Sequence, residues 1–246
     1  MGCAASPAYP GRHRTGARPV SAEGGGVVRR AARRAFVAAA SALVLTGCAT
    51  PEFHYAGDKP GTASAGPVFF KVPESWGTFT AAQITAAQKG WADDTTAKPL
   101  LDATVWQEAF DASAAPSLTH VLGSATPEAP TVYASLRTLY QDETASVTAA
   151  SLRDLVVPVS TLGDQVTVRT SEELTQGTAS GLHLVVSYRR TPTAPAETVD
   201  ETAYLSAGND ALYLLVVRCS STCYDRNRTD IDTVTSSYTI KEGSRG

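Results

Sequence analysis

The chain has 246 residues, 43% of them hydrophobic and 18% charged, and a formal charge of −3. Seven arginines and one glutamate precede Cys48, so the 14 basic and 23 acidic residues from Cys48 onward leave a charge of −9. That acidity argues against nucleic acid and anionic lipid headgroups as electrostatic partners, and reads most simply as the charge that keeps an exported domain soluble.

In chain order, Met1 to Gly26 carries glycines and prolines that break any helical period, together with Cys3. Arg29, Arg30, Arg33 and Arg34 then precede the apolar run Ala35 to Leu45, interrupted only by Ser41. A cationic front, a short apolar core and a small-residue site are the parts of a secretory leader. The run is well short of the roughly 20 residues that a bilayer-spanning helix needs. Leu45-Thr46-Gly47-Cys48 closes the segment and resembles the lipobox of bacterial lipoproteins. The resemblance implies that Cys48 becomes the first residue of the mature chain, acylated on its sulfur and amino group. At roughly 0.8 kcal/mol per buried CH₂, two or three acyl chains suffice for stable anchoring. Arg33-Arg34-Ala35-Phe36-Val37 resembles a twin-arginine export signal, which implies export in the folded state. The leader is therefore expected over 1–47. A start at Val27 or Val28 would give it ordinary length and leave 1–26 untranslated.

Cys48 to Gly66 is rich in Gly, Pro and small residues and reads as a lipidated tether. Flexible, its eighteen residues after Cys48 would span roughly 23 Å r.m.s.. A single domain is expected over 67–242. Val68 to Val72 predicts a strand ended by Pro73. Thr80 predicts the cap of a helix over Ala81 to Lys89, stopped by Gly90. Strands are predicted over Thr104 to Ala112 and Thr131 to Tyr140, the latter with Val132, Ala134, Leu136 and Thr138 on one face. Ser146 is expected to open a helix that runs to Pro158 with Val147, Ala150, Leu152 and Leu155 on its apolar side. Strands follow over Gly181 to Arg190, Thr198 to Ala207 and Ala211 to Cys219, the last two joined by a turn around Gly208-Asn209-Asp210. Tyr213 to Val217 is apolar on both faces, as a central strand covered on each side requires. Ile231, Val234 and Tyr238 share a helical face within Arg226 to Ser237, and Tyr238 to Ile240 extends the end of the chain. This alternation predicts an α+β sandwich, a mainly antiparallel sheet with helices packed on its faces.

Val72 to Trp76 ("VPESW"), Leu152 to Pro158 ("LRDLVVP"), the apolar penultimate strand and Ser236 to Ile240 ("SSYTI") together resemble the PsbP-like α/β/α sandwich, whose actinobacterial lipoprotein relatives are of the LpqN type. The resemblance implies a binding or assembly module without a common active site, so it carries over no catalytic residue. The loop from Cys219 to Cys223 departs from that pattern.

Those two cysteines are the only ones after Cys48, and their C-x-x-x-C spacing reads as a disulfide closing a small loop. A catalytic redox pair, for which two intervening residues are usual, and free or metal-bound thiols are the alternatives. Other chemistry is thin. In Gly177 to Gly181 the serine sits one place too late for a nucleophile elbow, and no Ser-x-x-Lys occurs. Asp225 to Asp230 starts like a calcium loop, but Asp230 and Ser236 occupy the places that need Gly and Glu. His54, His120 and His183 fall in the tether, a loop and a strand, a spacing that suggests no metal pair. Asp93-Asp94 and Glu172-Glu173 read as solvated surface, and Asn227-Arg228-Thr229 matches a glycosylation acceptor. Trp76, Trp91 and Trp106 are candidates for a shared ligand pocket, with core packing as the plainer reading.

These features set the expectation of a lipid-anchored, extracytoplasmic binding or assembly module at the cell membrane, with a protein partner in the envelope and neither cofactor nor nucleic acid. The alternatives are a thiol-redox protein or enzyme using Cys219 and Cys223, and a surface carrier of a lipid or glycan.

Overall fold

The computed structural model describes residues 52–57, 66–91 and 94–241, without the side chains of 90–97 and 149. All lie in one compact unit, Ala49–Gly246. Strands β1 (Phe53–Ala56), β2 (Val68–Pro73) and β3 (Gly77–Phe79) lead into helices α1 (Ala81–Trp91) and α2 (Asp94–Ala103). Next come β4 (Thr104–Asp111), α3 (Leu118–Leu122), β5 (Thr131–Thr138) and α4 (Gln141–Ser146), followed by a 3-10 helix (Ala149–Asp154) and α5 (Val159–Leu162). Four long strands follow: β6 (Val166–Gln176), β7 (Ala179–Tyr188), β8 (Glu197–Leu205) and β9 (Ala211–Ser220). Helices α6 (Ser221–Arg226) and α7 (Arg228–Ser236) and the short β10 (Thr239–Ile240) close the domain.

Seven strands pair in the order β3-β4-β5-β9-β8-β7-β6, antiparallel throughout, and β1-β2-β10 form a second, three-stranded sheet. The apolar sequence of β9 explains its place at the centre. Tyr213, Leu215, Val217 and Cys219 enter the core shared with Phe70, Val72, Phe110, Ile231 and Val234. Leu212, Leu214 and Val216 enter a core on the opposite face with Leu152, Val157, Val159 and Leu184. Ile84 of α1 and Val121 of α3 pack on Ala109 and Tyr133, extending that second layer to the far end of the sheet. The large sheet thus has the small sheet and α6–α7 on one side and the remaining helices on the other.

Several expected elements differ. Phe53–Ala56 lies within the stretch read as tether yet pairs with β2, Ala56 opposite Phe70. Residues 52–57 therefore pack as part of the folded domain. Gly57 follows at φ 114° and so close to β2 that a Cβ there would lie 1.9 Å from the Val68 carbonyl oxygen, an approach only glycine permits. Ser146 ends a helix instead of opening one. Thr148 starts the next turn, its Oγ1 accepting from the Ser151 amide at 3.3 Å while Ser151 Oγ accepts from the Thr148 amide at 2.9 Å. Leu152, Leu155 and Val147 still pack inward as expected, whereas Ala150 of the same expected face is exposed. Helix α1 continues through Gly90 to Trp91. The final helix is broken at Asn227, and its first part starts at Ser220, whose Oγ accepts from the Cys223 amide. His120 lies on α3 rather than in a loop. Strand β6 was not anticipated: it is the sheet edge, mostly exposed, and carries too few apolar residues for an alternating pattern.

Leu215 is fully buried in the central strand. Leu215→Ala is expected to lower unfolding free energy by about 2–5 kcal/mol, read as an earlier urea midpoint at unchanged m-value.

Candidate functional site

All nine residues of β8 are buried, although five of them are polar or charged: Glu197, Thr198, Asp200, Glu201 and Thr202. The cause is position, since β8 runs between β7 and β9 with both faces covered. Carboxylates in such a place must be paired or lose their charge. The three acids of β8 meet that demand in three ways.

Asp200 faces α6 and α7. Its Oδ1 lies 2.9 Å from His183 Nε2 on β7, and its Oδ2 accepts from the Tyr224 hydroxyl at 2.6 Å. The Tyr224 ring has guanidinium groups of Arg169 and Arg228 each 5.7 Å from its centre. Burial, then the Asp200 charge, push the Tyr224 hydroxyl far above its ordinary value, so it remains a donor. The bond to Asp200 raises the His183 pKa; burial opposes it, and the charges of Asp200, Glu172 and Asp232 add to it. His183 borders a cleft of about 320 Å³ between β7–β8 and α7, lined also by Thr202, Tyr204, Asp232, Ser236 and Tyr238. Tyr204 and Tyr238 stack with ring centres 6.3 Å apart, and the Tyr238 hydroxyl is buried without a hydrogen-bond partner. Asp200 thus fixes the orientation of the His183 ring at the edge of the cleft.

Glu197 faces the other way and is shared by two arginines: Oε1 accepts from Arg218 Nε at 2.6 Å and Oε2 from Arg190 Nε at 2.9 Å. Arg218 also donates to the carbonyls of Gly123 and Ala125, fixing the loop between α3 and β5 to the sheet. Glu201 is 1% exposed, and among the described residues neither carboxyl oxygen has a hydrogen-bond partner. Burial pushes its pKa up to about 8; the nearby Val156 amide, short of a full hydrogen bond, opposes this, and Asp154 adds to it.

A Ser-His-Asp set also occurs at Ser113, His120 and Asp111, but it is not a relay. Ser113 Oγ at 3.5 Å and Asp111 Oδ2 at 2.7 Å both meet His120 Nδ1, whereas a relay needs opposite ring nitrogens. Burial would raise the Asp111 pKa, but bonds from Ser113, His120 and Ser117 outweigh it and hold the carboxyl below its ordinary value.

Cys219 and Cys223 form the disulfide, Cα atoms 5.9 Å apart, joining the end of β9 to the first turn of α6. Both are fully buried, which closes the access that thiol exchange requires. Trp76 and Trp106 are buried in the main core, while the side chain of Trp91 lies outside the described residues. Leu45, Thr46, Gly47, Cys48, Arg33 and Arg34 also lie outside them. Asn227 Nδ2 donates to the Cys223 carbonyl at 2.8 Å, so the amide of the acceptor pattern is engaged. Asp225 pairs with Arg169, Asp232 pairs with Arg228, and no group of three or more metal-ligating side chains occurs among the described residues. Sequence reasoning noted His183 but missed Asp200, Tyr224, Glu197, Arg190, Arg218 and Glu201. Three acids in a strand flanked by two apolar ones were the available signal.

The architecture is an α+β sandwich, an antiparallel sheet between helical layers with an accessory sheet. No protein-family model and no curated protein matches the chain. Among solved structures it is similar to LpqN, involved in cell envelope biogenesis of Mycobacterium tuberculosis, at 13% identity over 77% of this chain and 92% of that one, TM-score 0.46. Cyanobacterial PsbP from Synechocystis sp. PCC 6803 is similar at 15% identity over 79% and 96%, TM-score 0.42. The Ran-binding protein Mog1p of Saccharomyces cerevisiae is similar at 10% over 77% and 96%, TM-score 0.41. Solved structures of both kinds named by the sequence resemblance are thus among the similar ones, and the likeness is one of fold alone.

Two titrations test these networks. His183 is expected to titrate above 6.5 by NMR, and Asp200→Asn to bring it down. Its contribution to stability is full below its unfolded pKa and lost as pH rises through the folded one. Glu201 has the opposite origin and the same sign. Between 4.5 and about 8 the folded chain keeps a proton that the unfolded chain has released. Stability should therefore fall as pH rises across that window. Urea midpoints at several pH values should show this fall, and Glu201→Gln should abolish the part below pH 6.5, where His183 does not yet contribute.

Proposed function

We propose that the chain is a lipid-anchored, extracytoplasmic binding or assembly module of the bacterial cell envelope, which engages a protein partner through its surface. The observation that carries this reading is the order of Arg29 to Arg34, the apolar run Ala35 to Leu45 and Leu45-Thr46-Gly47-Cys48, placed immediately before the folded domain. The Cys219–Cys223 bridge supports it, since disulfides persist in oxidising compartments. Among the described residues no helix is long and apolar enough to cross a membrane. Attachment is through acyl chains on Cys48, after export through the Arg33-Arg34 signal or the general route. The cleft at His183, with a fixed imidazole, hydroxyls and an acid, supports binding as the activity.

Intact mass of the protein extracted from the envelope tests this directly. The expected result is an acylated chain beginning at Cys48 that gains two hydrogens on reduction. An unmodified chain retaining the leader would sink the anchored reading.

A further inference from the structure

Strand β1 lies where the sequence placed a free tether, so few residues separate the folded domain from Cys48. Five residue steps separate Cys48 from Phe53, a reach of about 18 Å at full extension. Alternation then sorts the side chains of the three-stranded sheet. Ala56, Val68, Phe70, Val72 and Ile240 point into the core. The register places Tyr55 beside Lys71 and Thr239 beside Phe69 on the opposite, outer face. There Tyr55 is 68% exposed, Phe69 is half-buried and Lys241 is exposed. Lys71 Nζ lies 5.7 Å from the centre of the Tyr55 ring, and Lys241 Nζ 5.5 Å from that of Phe69.

Rings at the headgroup level, beside lysines whose apolar stems lie along the boundary while their ammonium groups stay in water, are the chemistry of a membrane interface. Glu52 and Glu74, exposed at the rim of the same sheet, offset the two lysines. Attraction on this face therefore comes from the rings rather than from anionic lipid, in keeping with the acidity of the chain. With at most about 18 Å of chain between Cys48 and β1, acyl chains on Cys48 would keep this face near the bilayer.

We propose that the outer face of the three-stranded sheet rests on the bilayer surface, docking the domain through Tyr55, Phe69, Lys71 and Lys241 beside the lipidated Cys48. This rests on the anchored reading above for the closeness of the membrane. Docking turns the opposite layer of helices towards the aqueous side.

The test places photoreactive benzoylphenylalanine at Tyr55 or, in a separate protein, at Val156, which is exposed on the opposite layer. Protein extracted from the envelope is mixed with an excess of phosphatidylcholine–phosphatidylglycerol vesicles and illuminated. Lipid adducts at position 55 are expected to exceed those at 156 by about tenfold and to persist at high salt, since ring burial is not screened. Equal yields, or adducts at 55 made with protein instead of lipid, would overturn the proposal. The intact mass of the same sample reports acylation separately, and excess lipid allows the ratio to be read for acylated and unacylated protein alike. A failed anchor thus shows in the mass and a failed docking face in the ratio.

Discussion

With β9 in the middle of seven strands and apolar on both sides, the sheet has no wet face at its centre, and each covering layer exists to meet that condition. Tyr213, Leu215 and Val217 require the small sheet and α7 on one side; Leu212, Leu214 and Val216 require the 3-10 helix and α5 on the other. Strand β8, hydrogen-bonded to β9 along its length, inherits the same dryness while carrying three acids. Buried carboxylates are costly unless paired, so the positions of His183, Tyr224, Arg190 and Arg218 follow from β8.

The disulfide belongs to the same arrangement. Cys223 directly precedes Tyr224, and its bond to Cys219 ties the first turn of α6 to the end of β9. That junction aims the Tyr224 hydroxyl at Asp200, which in turn orients His183 at the edge of the cleft. The staple thus acts on the cleft through three residues without any thiol chemistry. Glu197 and its arginines do comparable work on the opposite face, where they hold the loop between α3 and β5.

Much of the fold was legible. The alternation of β5 and β7 and the two-faced apolarity of β9 are local signals, and each strand stands close to where its pattern placed it. The misses share a cause. Strand β1 is four residues inside a Gly- and Pro-rich stretch, and β6 is a polar edge bonded on one side. In both, pairing with a neighbour supplies the order that their own side chains do not announce. The break between α4 and the 3-10 helix turned on the choice between Ser146 and Thr148 as the cap, two hydroxyl residues that look alike in sequence.

By itself the sequence determined the acidic balance and the central strand, and it raised the leader, the lipobox and the pairing of the two nearby cysteines as expectations, because each is a property of neighbouring residues. Only the tertiary structure decided that Asp200 meets His183 and Tyr224, that Glu197 is shared by Arg190 and Arg218, that Glu201 meets no partner among the described residues, and that Phe53–Ala56 is a strand. The polar contacts join residues 7 to 24 apart, beyond the reach of a local sequence pattern. Their chemistry depends on burial that no local pattern encodes, since the same acids on an exposed strand would be ordinary solvated charges.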